Sequence, residues 1–202
     1  MQLVLASRSP RRLELLKQIH IEALASPVDI PEVRGSDEAP AAYVERLAKE
    51  KMLAGIAAHP GKLVLGSDTI GVFNEASPTS REHVLEKPLD REDFFRMMRQ
   101  LSDNWHSVMT AVAVGCDERF SLKRVDTRVK LAPLDDAFLA SYWEAGEASD
   151  KAGGYGIQSS FAAYVQRIEG SYTAVMGLPL CATRELIETL RPDFFQASPN
   201  SN

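Results

Sequence analysis

The junction from Leu3-Val4-Leu5 to Ser9-Pro10 limits what this chain can fold into more than any other feature of it. Three apolar residues read as a short buried strand. A serine and a proline then stand in N-cap and N1 order, where proline's fixed φ and missing N–H fit the first helical turn. A helix through about Ile19 follows. The succession then repeats, with a helix from near Pro40 to about Ala58, Leu63-Val64-Leu65-Gly66 as a buried strand, and a helix from Asp90 to about Leu101. Val108 to Gly115 and Val125 to Leu131 read as strands flanking the turn-rich Cys116-Asp117-Glu118-Arg119. Helices are expected from about Asp135 to Ala145 and from about Ala182 to Leu190. Strands alternating with helices in this way predict an α/β protein with a mixed sheet. No repeat is visible, and no linker is long enough to separate independent domains, so residues 1–195 are expected as one domain with a polar tail over 196–202. Asn74 to Arg81 reads as an exposed loop.

Composition removes several function classes. At 202 residues, 45% hydrophobic and 25% charged, the chain can bury a core of ordinary size. No apolar run approaches the roughly 20 residues of a membrane span. The start, Met1 to Ser7, lacks the basic and apolar regions of a signal peptide, and Cys116 and Cys181 stand isolated, which together point to the cytoplasm and exclude a thiolate metal cluster. A net charge of −5 argues against general affinity for nucleic acid, though not against a small anion in a local basic pocket.

Five segments could carry chemistry. Ser7-Arg8-Ser9-Pro10-Arg11-Arg12 puts two guanidiniums in the opening turn of a helix, where the dipole disfavours cations; a bound anion would offset that, and the alternative is that both point into water. Lys51 falls at helical spacing between Val44, Leu47, Ala48, Gly55 and Ala58, so it needs a partner, such as a charged ligand, or a route for its ammonium to solvent. Gly66-Ser67-Asp68-Thr69 follows an apolar strand, where ligands gather in α/β sheets. Asp68, with Glu32 as a second carboxylate, could bind a hard cation or orient a water, while a turn or cap role competes. In Glu86-Lys87-Pro88-Leu89 a cation precedes a rigid residue, and Lys87 could hold a phosphate or simply be solvated. The densest run is Asp150-Lys151-Ala152-Gly153-Gly154-Tyr155-Gly156-Ile157-Gln158, whose glycines permit sharp turns and close approach to a ligand. A Walker A pattern, a G-x-S-x-G elbow and metal-type histidine spacing are all missing, and His106 reads as structural.

Taken in order, these segments resemble the Maf family of nucleoside triphosphate pyrophosphatases. Leu5 to Arg12, Arg46-Leu47-Ala48 leading to Lys51, Ser67-Asp68-Thr69, Lys87-Pro88, and Asp150 to Gln158 carry the resemblance, completed by Gly170-Ser171-Tyr172 and Gly177-Leu178-Pro179-Leu180. It spans about residues 2 to 190. It implies an elongated α/β fold of the Maf/ITPase type, a mixed sheet with flanking helices and two lobes around a cleft. It implies a cytoplasmic homodimer that cleaves a nucleoside triphosphate to the monophosphate and pyrophosphate with a divalent cation, Mg or Mn. By position, Asp68 matches the proton acceptor, and Glu32, Lys51 and Lys87 match the charged catalytic cluster, with Asp68 and Glu32 as metal ligands. Ser7, Arg11, Arg12, Thr69 and Gln158 fall at substrate positions. The D-K-A-G-G-Y-G-I-Q form looks like the branch acting on dTTP and UTP, with modified pyrimidine nucleotides, 7-methyl-GTP or a slow, septum-regulating nucleotide binder as alternatives. The chain departs from the family pattern at Gly71, at Ser159 and in a longer 74–83 loop.

Overall fold

The computed structural model describes residues 2–74, 82–149 and 151–196. Asp150, most of the expected 74–81 loop and nearly all of the polar tail lie outside the described residues. The opening elements are β1 (Leu3–Leu5), α1 (Pro10–Gln18), β2 (Ala23–Ala25) and α2 (Pro40–Ala58). They are followed by β3 (Leu63–Asn74), β4 (Glu82–Leu85) and α3 (Arg91–Leu101). β5 (Trp105–Cys116), β6 (Arg119–Leu131) and α4 (Asp136–Glu144) continue the chain, and two short 3-10 segments lead to β7 (Val165–Glu169), α5 (Tyr172–Val175) and α6 (Leu180–Leu190). The strands form a mixed seven-stranded sheet in the order β2-β1-β3-β5-β6-β7, with β4 paired to β3. β1 runs parallel to both β2 and β3, whereas β4 is antiparallel to β3 and β7 to β6.

The helix starts follow the capping signals. α1 has Ser9 at its N-cap and Pro10 in its first turn, and the Asp90 and Asp135 side chains accept from Asp93 N and Phe138 N to cap α3 and α4. One expectation needs correction. The strand opening at Leu63 does not stop at Gly66 but runs to Asn74, so Ser67-Asp68-Thr69 sits inside β3 rather than beyond its end. Gly66 is a crossing point for α2, not a strand terminator. A Cβ there would lie 2.4 Å from Ala48 O and 2.5 Å from Met52 N.

The chain divides into two compact units. The first comprises Met1–Asp68, Thr110–Val125 and Gly177–Asn202, the second Thr69–Met109 and Asp126–Met176. In the first, Leu3, Val4, Leu5, Leu63, Val64 and Leu65 are almost wholly buried together with Leu15, Leu16, Val44, Leu47 and Met52. The second has an aromatic core in which Phe94, Tyr142 and Phe161 are the largest fully buried side chains. No helix among the described residues is long and apolar enough to cross a membrane.

Candidate functional site

In the first unit, strand alternation and one helix crossing assemble a charged cluster. Because Gly66 faces the backbone of α2, Asp68 two residues on points to the same side. There α2 presents Lys51, whose Nζ lies 2.6 Å from Asp68 Oδ1 and 2.6 Å from Glu32 Oε1. The lysine is buried, and its partners are carboxylates of the chain, not solvent. Asp68 is buried too, while the Glu32 side chain is 47% exposed. Burial raises the Asp68 pKa above the ordinary carboxylate value; Lys51 and Arg12 oppose that rise and Glu32 adds to it.

The parallel register that pairs Leu5 with Leu65 brings the end of β1 beside this cluster. Ser7 is buried there, accepting from Ser9 N at 3.1 Å and from Arg12 Nη1 at 2.9 Å. Arg12 Nε also donates to Gly177 O at 2.8 Å, and Ser67 Oγ, on the opposite side of β3 from Asp68, lies 3.1 Å from the same carbonyl and 2.8 Å from Ala111 O, either of which can accept its proton. The Gly177-Leu178-Pro179 turn is thus the acceptor that aims Arg12, a role its sequence did not reveal. Burial lowers the Arg12 pKa, with Arg11 acting in the same sense and Asp68 and Glu32 against it. First-turn residues of α1 include no acid, so Arg11 and Arg12 add their charge to the positive end of the helix dipole.

The remaining expected positions lie in the second unit. Thr69 is half-buried in β3, and Lys87 and Gln158 are exposed. Gly153 N donates to Glu86 O at 3.1 Å, so the Lys87 segment and the glycine-rich segment are joined by a main-chain bond. Gly153 and Gly154 both take φ near +75°, a conformation that side chains with a Cβ rarely adopt. Gln158 stands at the tip of a turn closed from Ser159 N to Gly156 O at 3.1 Å. Ser159 Oγ donates to the same carbonyl at 2.8 Å and lies 3.1 Å from Tyr142 OH, which accepts from Gly156 N at 3.0 Å. The serine that departs from the family pattern therefore braces the turn. Gly71 has an equally local cause, since a Cβ there would sit 3.1 Å from Leu85 Cβ on β4. Tyr155 is buried against His106, Nε2 to OH 2.7 Å, and burial holds the His106 pKa down to about 4. That is a structural histidine.

The donor set suits a hard divalent cation. Magnesium takes one or two carboxylates and completes its shell with phosphate oxygens and water, and Asp68 and Glu32 flank a single ammonium. Among the described residues no three His, Cys, Asp or Glu side chains come together as a metal group.

Comparison with known proteins places residues 2–190 under the family model described as Maf-like protein. A protein of Aliivibrio fischeri (strain ATCC 700601 / ES114) named dTTP/UTP pyrophosphatase is 45% identical over 191 residues, covering 92% of this chain and 96% of that protein. Proteins of the same name from Vibrio parahaemolyticus serotype O3:K6 and Saccharophagus degradans are 47% and 44% identical. They cover 93% and 96% of this chain and 96% and 91% of their own lengths.

Proposed function

The chain belongs to the Maf family, and from that membership we propose that it is a nucleoside triphosphate pyrophosphatase that hydrolyses dTTP and UTP to the monophosphate and pyrophosphate. The observation that carries the catalytic part of this reading is the buried Lys51 shared at 2.6 Å between Asp68 and Glu32, with Arg12 alongside. The substrate part comes from the relatives' names over nearly their whole length.

In this reading water adds to the α-phosphorus, the α–β phosphoanhydride bond breaks, and pyrophosphate leaves with the bonding electron pair. Asp68 takes the proton from the attacking water. Burial raises its affinity for that proton, while Lys51 and Arg12 oppose the rise and favour the ionised form that accepts it. Arg11, Arg12 and Ser7 bind phosphate oxygens at the positive end of α1, and Lys87 adds a further cation. Thr69 and Gln158 read the nucleoside, Gln158 through an amide that offers a donor and an acceptor on one edge. A divalent cation, Mg or Mn, held through Asp68 and Glu32 would neutralise phosphate charge and acidify the water. The reading includes a homodimer in the cytoplasm with no nucleic-acid or membrane partner.

The test is release of pyrophosphate from a panel of canonical and modified triphosphates, including CTP and 7-methyl-GTP, with magnesium present. We expect dTTP and UTP to lead, and EDTA to abolish the reaction. Release of orthophosphate, full activity after exhaustive chelation, or a preference for 7-methyl-GTP would each overturn part of the assignment.

A further inference from the structure

Glu32 reaches Lys51 from a stretch with no helix or strand, residues 26–39 between β2 and α2. Ordering irregular backbone costs conformational entropy at every residue, and burial does little to meet that cost here. Pro31, Glu32 and Val33 are all exposed, Val33 at 75%. What holds the stretch is α2. Buried Tyr43 donates its hydroxyl to Glu32 O at 3.0 Å. One turn along, Arg46 Nη2 donates to Val33 O at 3.0 Å, fixing the carbonyl next to Glu32.

The same guanidinium grips Glu38 in fork geometry, Nε to Oε1 at 2.7 Å and Nη2 to Oε2 at 2.8 Å, and its Nη1 lies 3.2 Å from both oxygens of Glu50. Glu38 closes its own turn, accepting from Gly35 N at 3.1 Å through its carboxylate and from Arg34 Nε at 2.7 Å through its carbonyl. Bidentate pairing of this kind fixes orientation as well as distance, which a single contact does not. Arg46 holds the Glu38 carboxyl down to about 2, so the pair stays charged at any working pH.

We propose that Arg46 and Glu38 are positioning residues for the reaction: their ion pair, with the Arg46–Val33 bond, clamps the 31–38 segment onto α2 so that the Glu32 carboxylate meets Lys51. The inference rests on the reading that the Glu32–Lys51–Asp68 cluster does the chemistry. Neither residue need touch substrate, and each acts through Glu32. Loss of the clamp therefore lowers turnover only as far as loss of Glu32 itself does.

The test is a double-mutant cycle in kcat for pyrophosphate release from dTTP, using Arg46→Gln and Glu38→Gln, each alone and combined with Glu32→Gln. Arg46→Gln is expected to lower kcat about tenfold with less than about a twofold change in KM, since misplacing a reacting group costs rate in this range. In the Glu32→Gln background the same change is expected to cost less than about twofold. Arg46→Lys is expected not to rescue, because a lysine lacks the planar fork. Independent losses that multiply in the double variant, or an unchanged kcat in Arg46→Gln, overturn the proposal. Glu38→Gln, which leaves the arginine in place, gives the same comparison if Arg46→Gln folds poorly. Backbone amide exchange over residues 32–38 decides the clamp without any turnover. Exchange is expected to quicken there in both single variants, and unchanged exchange overturns the clamp. Wild-type protein that releases no pyrophosphate would bring down the functional reading, while the exchange result would still stand for or against the clamp.

Discussion

Replacing Lys51 by methionine removes one ammonium that serves two carboxylates, each at 2.6 Å. The two halves of that bridge differ in worth. Glu32 is 47% exposed, and an ion pair so open to water contributes about 0–1 kcal/mol. The Asp68 side chain is only 10% exposed, and removing one partner of a buried pair costs about 3–5 kcal/mol because a charge is left uncompensated. Arg12 stays nearby and opposes the loss, and methionine packs well among Leu47, Ala48 and Val44, so we expect about 3 kcal/mol, or roughly a hundredfold in the unfolding equilibrium. The deficit has a definite pH dependence. With the folded pKa of Asp68 above its unfolded value, the native state binds the extra proton between the two, so stability rises as pH falls through the folded pKa and the gain is complete below the unfolded one. Without Lys51 that window widens, and the gap between wild type and variant should therefore narrow on acidification. Urea unfolding at about pH 8 and about pH 5, with the Lys51→Met/Asp68→Asn double variant alongside, measures it. The double variant should recover most of the loss. A deficit under about 1 kcal/mol at the higher pH, a gap that fails to narrow, or a double variant no more stable than the single would refute the claim that Lys51 holds a buried Asp68 charge.

Asp68→Asn keeps the shape of the side chain but cannot accept a proton, and should cut dTTP turnover by about 100-fold or more; a rate near wild type would make Asp68 structural. Gln158→Ala should flatten the preference for dTTP over CTP, expected at about 10- to 100-fold from an unpaired polar group worth roughly 1–3 kcal/mol. An unchanged ratio of kcat/KM values would remove Gln158 as the base reader. His106 binds its proton only near pH 4 when folded but near 6.5 when unfolded, so the unfolded state holds more protons in between and stability falls as pH drops through that window. The full loss is about 3 kcal/mol at 1.36 kcal/mol per pKa unit. His106→Gln should unfold with a flatter dependence on pH over that range, and an equal slope in the two proteins would rule out the histidine as its source.

The longer helices were legible because their signals are local, whereas the four-residue α5 was not expected. Ser9-Pro10, Asp90 and Asp135 announce their own helices, and the spacing of Val44, Leu47 and Ala48 around Lys51 marks an inward face before any tertiary contact is known. Three strands were not legible. β2 and β4 are three and four residues long, and β7 is mostly exposed or half-buried, so none of them shows alternation strong enough to stand out from loop sequence. The extent of β3 was hidden for a different reason: Gly66 resembles a terminator in sequence, and only the backbone of α2 explains why a side chain is excluded there. The same limit applies to the site. Lys51 could be assigned to the buried face of its helix, but that its partners are Asp68 and Glu32 depends on a strand crossing and an irregular segment, both fixed by residues distant in sequence. Tyr142 and Ser159, which set the turn beneath Gln158, left no sequence signal beyond a serine where the family pattern often has glycine.

The composition of the cluster bears on whether the chain turns nucleotide over or only senses it. A pocket selected for affinity to a polyphosphate gains from unopposed cations. Here Arg12, Lys51 and the neighbouring Arg11 share their surroundings with Asp68 and Glu32, and burial has already raised the cost of keeping Asp68 ionised. Two carboxylates facing a polyanion weaken ground-state binding. They help only where a proton must be taken or a cation held as charge moves to the leaving pyrophosphate, which is a gain made in the transition state and not before it. A slow regulator would carry that cost with no return in rate. The distinction is measurable in one variant: with divalent cation withheld, so that no metal bridges the carboxylates and the phosphates, Asp68→Asn should bind dTTP at least as tightly as the wild type, since it removes a negative charge from the cluster, while losing turnover when magnesium is supplied. Weaker binding in parallel with the lost rate would mean that Asp68 serves substrate affinity, and the case for catalysis over sensing would lose its physical basis.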